Sequence, residues 1–128
     1  KILFLFGPGE KHFIESVRTS MKMPALPDYS VPTLSETLSI LKRVNLHLGN
    51  DNGIRHFAVA ADTPSLAIFG RPWAANWTPP EPTRHHSLEY DPGCKKKCVY
   101  PKCKLECLKG VNVEAVKTEL EILINNLN

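Results

Sequence analysis

The unbroken apolar run 2–6, and residues 65–69 in which the apolar run 66–69 follows Ser65, each stop at a glycine, Gly7 and Gly70. A strand with one wet face alternates apolar and polar residues. Continuous runs of this length instead suit strands covered on both faces, as in a parallel sheet. Parallel neighbours need crossover connections, and helical patterns lie between the runs. Residues 11–21 predict a helix. Thr33-Leu34-Ser35-Glu36 has the form of a capping box, with the Thr33 hydroxyl closing the first turn and Glu36 reaching back. Leu34, Leu38 and Leu41 then recur on one helical face until Lys42-Arg43, whose charge suits a helix end.

Residues 45–48 predict a short strand and residues 54–61 a short helix stopped by Asp62-Thr63-Pro64. Residues 87–90 predict a last short strand. Residues 23–32 and 71–84 are rich in proline and read as irregular connections, the second carrying Trp73 and Trp77. Asn112 is placed to cap a C-terminal helix, residues 112–127, with Val113, Val116, Leu120, Leu123 and Leu127 on its apolar face. Strands alternating with helices point to an α/β fold: a Rossmann-like open parallel sheet with flanking helices. A chain of 128 residues, 42% hydrophobic and 23% charged, fits one globular domain over residues 1–128 and not a disordered one. A net charge of +3 is too small to demand a nucleic-acid partner. Residues 1–6 are too few for a signal-peptide core, and Gly7-Pro8-Gly9-Glu10 offers no small-residue cleavage site. A start directly on a core strand reads as part of something longer.

Ligands of open parallel sheets bind outside the carboxyl ends of the strands, which singles out the turns at residues 7–10, 49–53 and 70–72. The richest is Gly49-Asn50-Asp51-Asn52-Gly53-Ile54-Arg55-His56, which runs from a strand end into a helix start. Unpaired backbone N–H groups and the helix dipole attract anions there. Gly53 lets a phosphate approach the backbone, and Asn52 and His56, four apart, lie on one side of the first turn. A neutral imidazole at position 56 can donate to a phosphate oxygen, and Asp51 can accept from sugar hydroxyls. Asn-Asp-Asn-Gly is also ordinary turn chemistry, with His56 then a surface histidine. Arg55 and Arg71 are secondary phosphate candidates that otherwise read as surface arginines.

The run from Gly49 through His56 and Ala58, followed by Thr63-Pro64 and Phe69-Gly70, resembles the lipopolysaccharide heptosyltransferase family. The likeness covers most of the chain, including the turn from Gly7 to Glu10. It implies the C-terminal, donor-binding half of a two-domain GT-B glycosyltransferase that transfers heptose from ADP-heptose to the lipopolysaccharide inner core. By position, Asp51 would bind the heptose, Asn52, Gly53 and His56 the pyrophosphate, Glu10 the ribose, and Pro32, Thr33 and Leu34 would flank the adenine. Asn52 stands where the family has Ser or Thr, and Arg71-Pro72-Trp73 follows Phe69-Gly70 where it has Pro-Thr. The acceptor site and a general-base aspartate would belong to an N-terminal domain, so this chain would bind donor without turnover. The same kinship implies a cytoplasmic enzyme at the inner face of the inner membrane, with no cofactor needed for the chemistry.

Cys94, Cys98, Cys103 and Cys107 form a cysteine-rich insert, residues 94–107, crowded by Lys95, Lys96, Lys97, Lys102, Lys104 and Lys109. Four close sulfurs suit tetrahedral Zn²⁺, with pairs four apart presented on helical turns and lysines favouring thiolates. Reduced, partly buried thiols are the alternative, since a reducing compartment disfavours disulfides. The lysines read as a solvated face or as a contact with an anionic membrane surface. Trp73 and Trp77 read as cover for the sheet edge or as an aromatic wall beside the donor. Two rival readings remain: a zinc-stabilised binding module built on the Cys/Lys segment, and a glycosyltransferase domain for another nucleotide sugar.

Overall fold

The alternation of apolar runs and helical patterns resolves into a β-α order along the chain. The computed structural model describes residues 1–26, 29–30 (backbone only), 32–70, 74–94 and 97–127, so Pro27, Arg71, Pro72, Trp73, Lys95 and Lys96 lie outside the described residues. The chain divides into two compact units, Lys1–Ser39 and Ile40–Asn128.

In the first unit, β1 (Leu5–Phe6) pairs in parallel with β2 (Tyr29–Ser30), Leu5 opposite Tyr29 and Phe6 opposite Ser30. Phe6 is buried, but Ile2 is half-exposed, so β1 is shorter and less enclosed than the run 2–6 predicts. The link between the strands holds α1 (Lys11–Ser20), one residue shorter than expected. The capping box opens α2 (Leu34–Leu41) as anticipated. The Thr33 N–H donates to Glu36 Oε2 at 2.7 Å, and the Glu36 N–H donates to Thr33 Oγ1 at 3.2 Å.

The second unit is built on three parallel strands in the order β3 (His47–Asn50), β4 (Ser65–Phe69), β5 (His85–Glu89). His47 lies opposite Ser65 and Ser65 opposite His85, which aligns the three strand starts. The crossovers carry α3 (Gly53–Ala60) and α4 (Ala74–Trp77). Both move across the sheet in one direction, so a common hand places both helices on one face. Side chains confirm it: Arg55 lies over the Phe69 ring, and the Ala74 N–H donates to Glu89 Oε2 at 2.8 Å. Phe69 and Glu89 are paired residues, and so share a face. The other face takes α6 (Val113–Asn125), tied to β5 by Glu119 Oε1, 2.6 Å from His86 Nδ1. The short α5 (Glu106–Lys109) precedes it.

This is an open parallel α/β sheet covered on both faces. Its core is Leu66, Ala67, Phe69, Ala58, Ala74, Leu41 and Leu123. Each large apolar side chain buried here contributes about 1.5–3 kcal/mol. Asn112 caps α6 as predicted, its Oδ1 accepting from the Ala115 N–H at 2.8 Å, but Val113 on the first turn is exposed. Other boundaries in this unit also differ from expectation. β3 runs to Asn50 because its ladder to β4 continues through Gly49, β5 begins at His85 because polar residues can pair as well as apolar ones, and α4 interrupts the loop 71–84.

Candidate functional site

The carboxyl end of β3 leads into α3. The Asp51 N–H still donates to the Ile68 carbonyl at 3.1 Å, extending the ladder. Asn52 then leaves the strand with φ −155° and ψ 179°, and its Oδ1 accepts from the Ile54 N–H at 2.9 Å. The Asn52 carbonyl accepts from the Arg55 N–H at 3.2 Å, closing the first turn. Asn52 is therefore the N-cap of α3, a position where Asn, Ser and Thr are interchangeable in kind.

Asp51, Asn52, Gly53 and His56 are all exposed. A Cβ added at Gly53 would meet no protein atom within 4 Å, so packing does not demand glycine there. What the missing side chain leaves is bare backbone N–H at the positive end of a helix, which is the geometry that receives an anion.

Arg55 is the main departure from expectation. It is not a surface arginine: its relative exposure is 0%, because its place on α3 turns the side chain toward the sheet. Nη1 donates to the Trp77 carbonyl at 2.5 Å, and the guanidinium stands 5.2 Å from the Phe69 ring centroid. Nε and Nη2 are buried with no hydrogen-bond partner among the described residues. Burial works against the charged form of Arg55, and the nearby Asp51 carboxylate supports it. Next along the helix, His56 points outward and meets the Trp77 indole at 5.9 Å between centroids and 65° between planes. Trp77 is 53% exposed, so about half of this residue is left to solvent.

Sequence reasoning missed a buried polar row at the strand starts. Ser65 Oγ lies 3.0 Å from His85 Nδ1, and His85 Nε2 lies 3.8 Å from Glu81 Oε2. Burial pushes both His47 and His85 below the ordinary imidazole range. The Arg55 charge adds to this at both, Arg84 adds at His85, and Glu81 and Asp62 oppose it there. Two histidines opening otherwise short strands were the available signal. Ser65 and His85 are buried, so the row is structural.

In the first unit, Glu10 stands at the N-cap of α1, and its Oε2 accepts from the Gly7 N–H at 2.7 Å. Gly9 holds φ +81°, a left-handed value that favours glycine. Thr33 and Leu34 are exposed at the start of α2, with the Thr33 hydroxyl donating to Glu36 Oε2 at 2.8 Å.

The model of the family described as glycosyltransferase family 9 (heptosyltransferase) matches residues 8–109 of the 128. The chain belongs to this family. No curated protein and no solved structure matches it. The open parallel α/β sheet found here is the Rossmann-like arrangement expected of a family 9 glycosyltransferase with a GT-B fold.

The matched region includes all four cysteines. They are unpaired thiols, with Cys107 buried, Cys94 and Cys103 half-buried and Cys98 exposed. Cys107 sits on α5 and its thiol donates to the Gly70 carbonyl, tying α5 to the end of β4. The neighbouring lysines do not turn Cys94 into a ready thiolate. Loss of solvent pushes its thiol above the ordinary range, and Cys98, Cys107 and Asp91 push the same way. Among the described residues, no group of three or more His, Cys, Asp or Glu is arranged to hold a metal ion. No helix among them is long and apolar enough to cross a membrane.

Proposed function

We propose that this family 9 glycosyltransferase chain binds ADP-heptose as donor, for transfer of the heptose to the lipopolysaccharide inner core on the cytoplasmic face of the inner membrane. The observation that carries the reading is the exposed, Asn52-capped N-terminus of α3, with bare backbone at Gly53 and His56 beside it. In this reading Gly53 and the Asn52 amide hold the pyrophosphate, His56 donates to one of its oxygens, and Asp51 accepts from heptose hydroxyls. For the first unit, taken by itself, the family resemblance offers Glu10, Thr33 and Leu34 as nucleoside contacts.

During transfer the acceptor hydroxyl oxygen bonds to the anomeric carbon as the bond from that carbon to the diphosphate oxygen breaks. The acceptor proton passes to a base, assigned by the resemblance to an aspartate of a preceding domain. ADP departs with the new negative charge, and donors already aimed at that position stabilise it without reorganising.

Calorimetry of this chain with ADP-heptose and with a UDP-hexose tests the reading. Tighter binding of ADP-heptose is expected; preference for the UDP sugar would keep the family and overturn the donor.

A further inference from the structure

Four-residue α4 is too short to persist by propensity and is held by its neighbours. The Glu89 carboxylate receives its first N–H, and Thr78 Oγ1, just past its end, lies 3.0 Å from Ser87 Oγ. The third tether is Arg55, donating to the Trp77 carbonyl. That is a costly tether. A guanidinium is wholly buried with two nitrogens unpartnered, where an apolar side chain of the same length would fill the space more cheaply. Nor does burial account for an indole at position 77, which is half in water. What the pair does achieve is to set an aromatic ring in a T-shaped pair with His56.

We infer that Arg55 and Trp77 are positioning residues for His56: Arg55 fixes the Trp77 backbone, and the indole, paired with the imidazole at a steep angle, holds it toward an anionic oxygen at the start of α3. Arg55 and His56 are consecutive, so one side chain grips the sheet side of α3 while the next faces solvent. Trp77 joins the two. An edge-on aromatic pair is strong enough to select one orientation of an otherwise exposed ring. The functional half of this inference rests on the donor reading above; the orienting half does not.

The test uses this chain with ADP as probe. Ring-proton NMR without ligand should show contacts between the His56 imidazole and the Trp77 indole. Trp77→Leu should alter the His56 ring signals and weaken ADP binding by about three- to tenfold. Arg55→Met should weaken the His56–Trp77 contacts and, combined with Trp77→Leu, cost no more than about twofold beyond Trp77→Leu alone, as expected for residues acting as one unit. Unchanged His56 ring signals in Trp77→Leu, or losses that multiply in the double variant, would overturn the inference. Should Arg55→Met fail to fold, the exposed Trp77→Leu decides alone. His56→Ala separates the two claims. If it binds ADP as the parent chain does, the donor reading fails, while the ligand-free spectra still decide whether Trp77 orients His56.

Discussion

Asn52 Oδ1 accepts the Ile54 N–H at 2.9 Å, so the residue that closes the β3 strand end also starts α3. Its oxygen is thereby committed to the helix, and the donor reading proposed above assigns its nitrogen to the ligand. Asn52→Ala should lower stability by about 1 kcal/mol, and Asn52→Ser should cost only a few tenths, since serine caps as well. Chemical denaturation of the three chains gives the comparison.

Arg55 separates stability from function. Arg55→Ala removes a wholly buried side chain and should cost about 2–4 kcal/mol through the cavity it leaves. Arg55→Met fills the space and removes two unpartnered donors, so it should fall within about 1 kcal/mol of the parent or exceed it. Urea midpoints at constant slope decide the order.

The strand-start histidines make the second unit acid-sensitive. His47 and His85 have lowered folded-state affinities for protons, so above about pH 6.5 both are neutral folded or unfolded and cost nothing. As pH falls through that value the unfolded chain takes up protons that the folded chain resists, and stability drops until the folded pKa values are passed. Glu36 acts in the same direction at lower pH: its carboxylate, held down by the Thr33 hydrogen bonds, gives stability that is lost as it protonates. Thermal melts from pH 7.5 to 5 should show falling midpoints, and His47→Gln with His85→Gln should flatten that slope.

These outcomes also show where the sequence was informative. Of the two strand runs, 65–69 forms the buried β4 as read, whereas 2–6 yields only the short β1, because strand pairing depends on distant residues. The Thr33–Glu36 box and Asn112 act through neighbours a few residues away, so their structure is local and readable. The turn at residues 51–56 was readable for the same reason. Arg55 was not, because its burial depends on Phe69 and Trp77, which the crossovers bring beside it from elsewhere in the chain. His47, Ser65 and His85 likewise become one row only when three strands align in register.

Thiol reactivity should follow exposure. Cys98 should be alkylated first at neutral pH, Cys94 more slowly because its thiol is held protonated, and Cys107 last because it is buried against the Gly70 carbonyl. Mass spectrometry after timed iodoacetamide treatment gives the order. One zinc per chain with all four thiols protected would instead point to a metal centre.

Gly110 lies against Tyr90: an added Cβ would stand 2.1 Å from Tyr90 Cδ1 and 2.3 Å from Cγ, the rigid base of the ring. Gly110→Ala should cost about 1–3 kcal/mol by displacing the ring. Pairing it with Tyr90→Ala should recover most of the loss in urea denaturation, because the atoms it displaces are then gone.

The most direct measurement is an amide NMR titration of this chain with ADP, with UDP as control. Shifts centred on Asn52, Gly53 and His56 with ADP, and much weaker with UDP, are the predicted result. A folded chain in which ADP leaves residues 51–56 unperturbed would contradict the donor site.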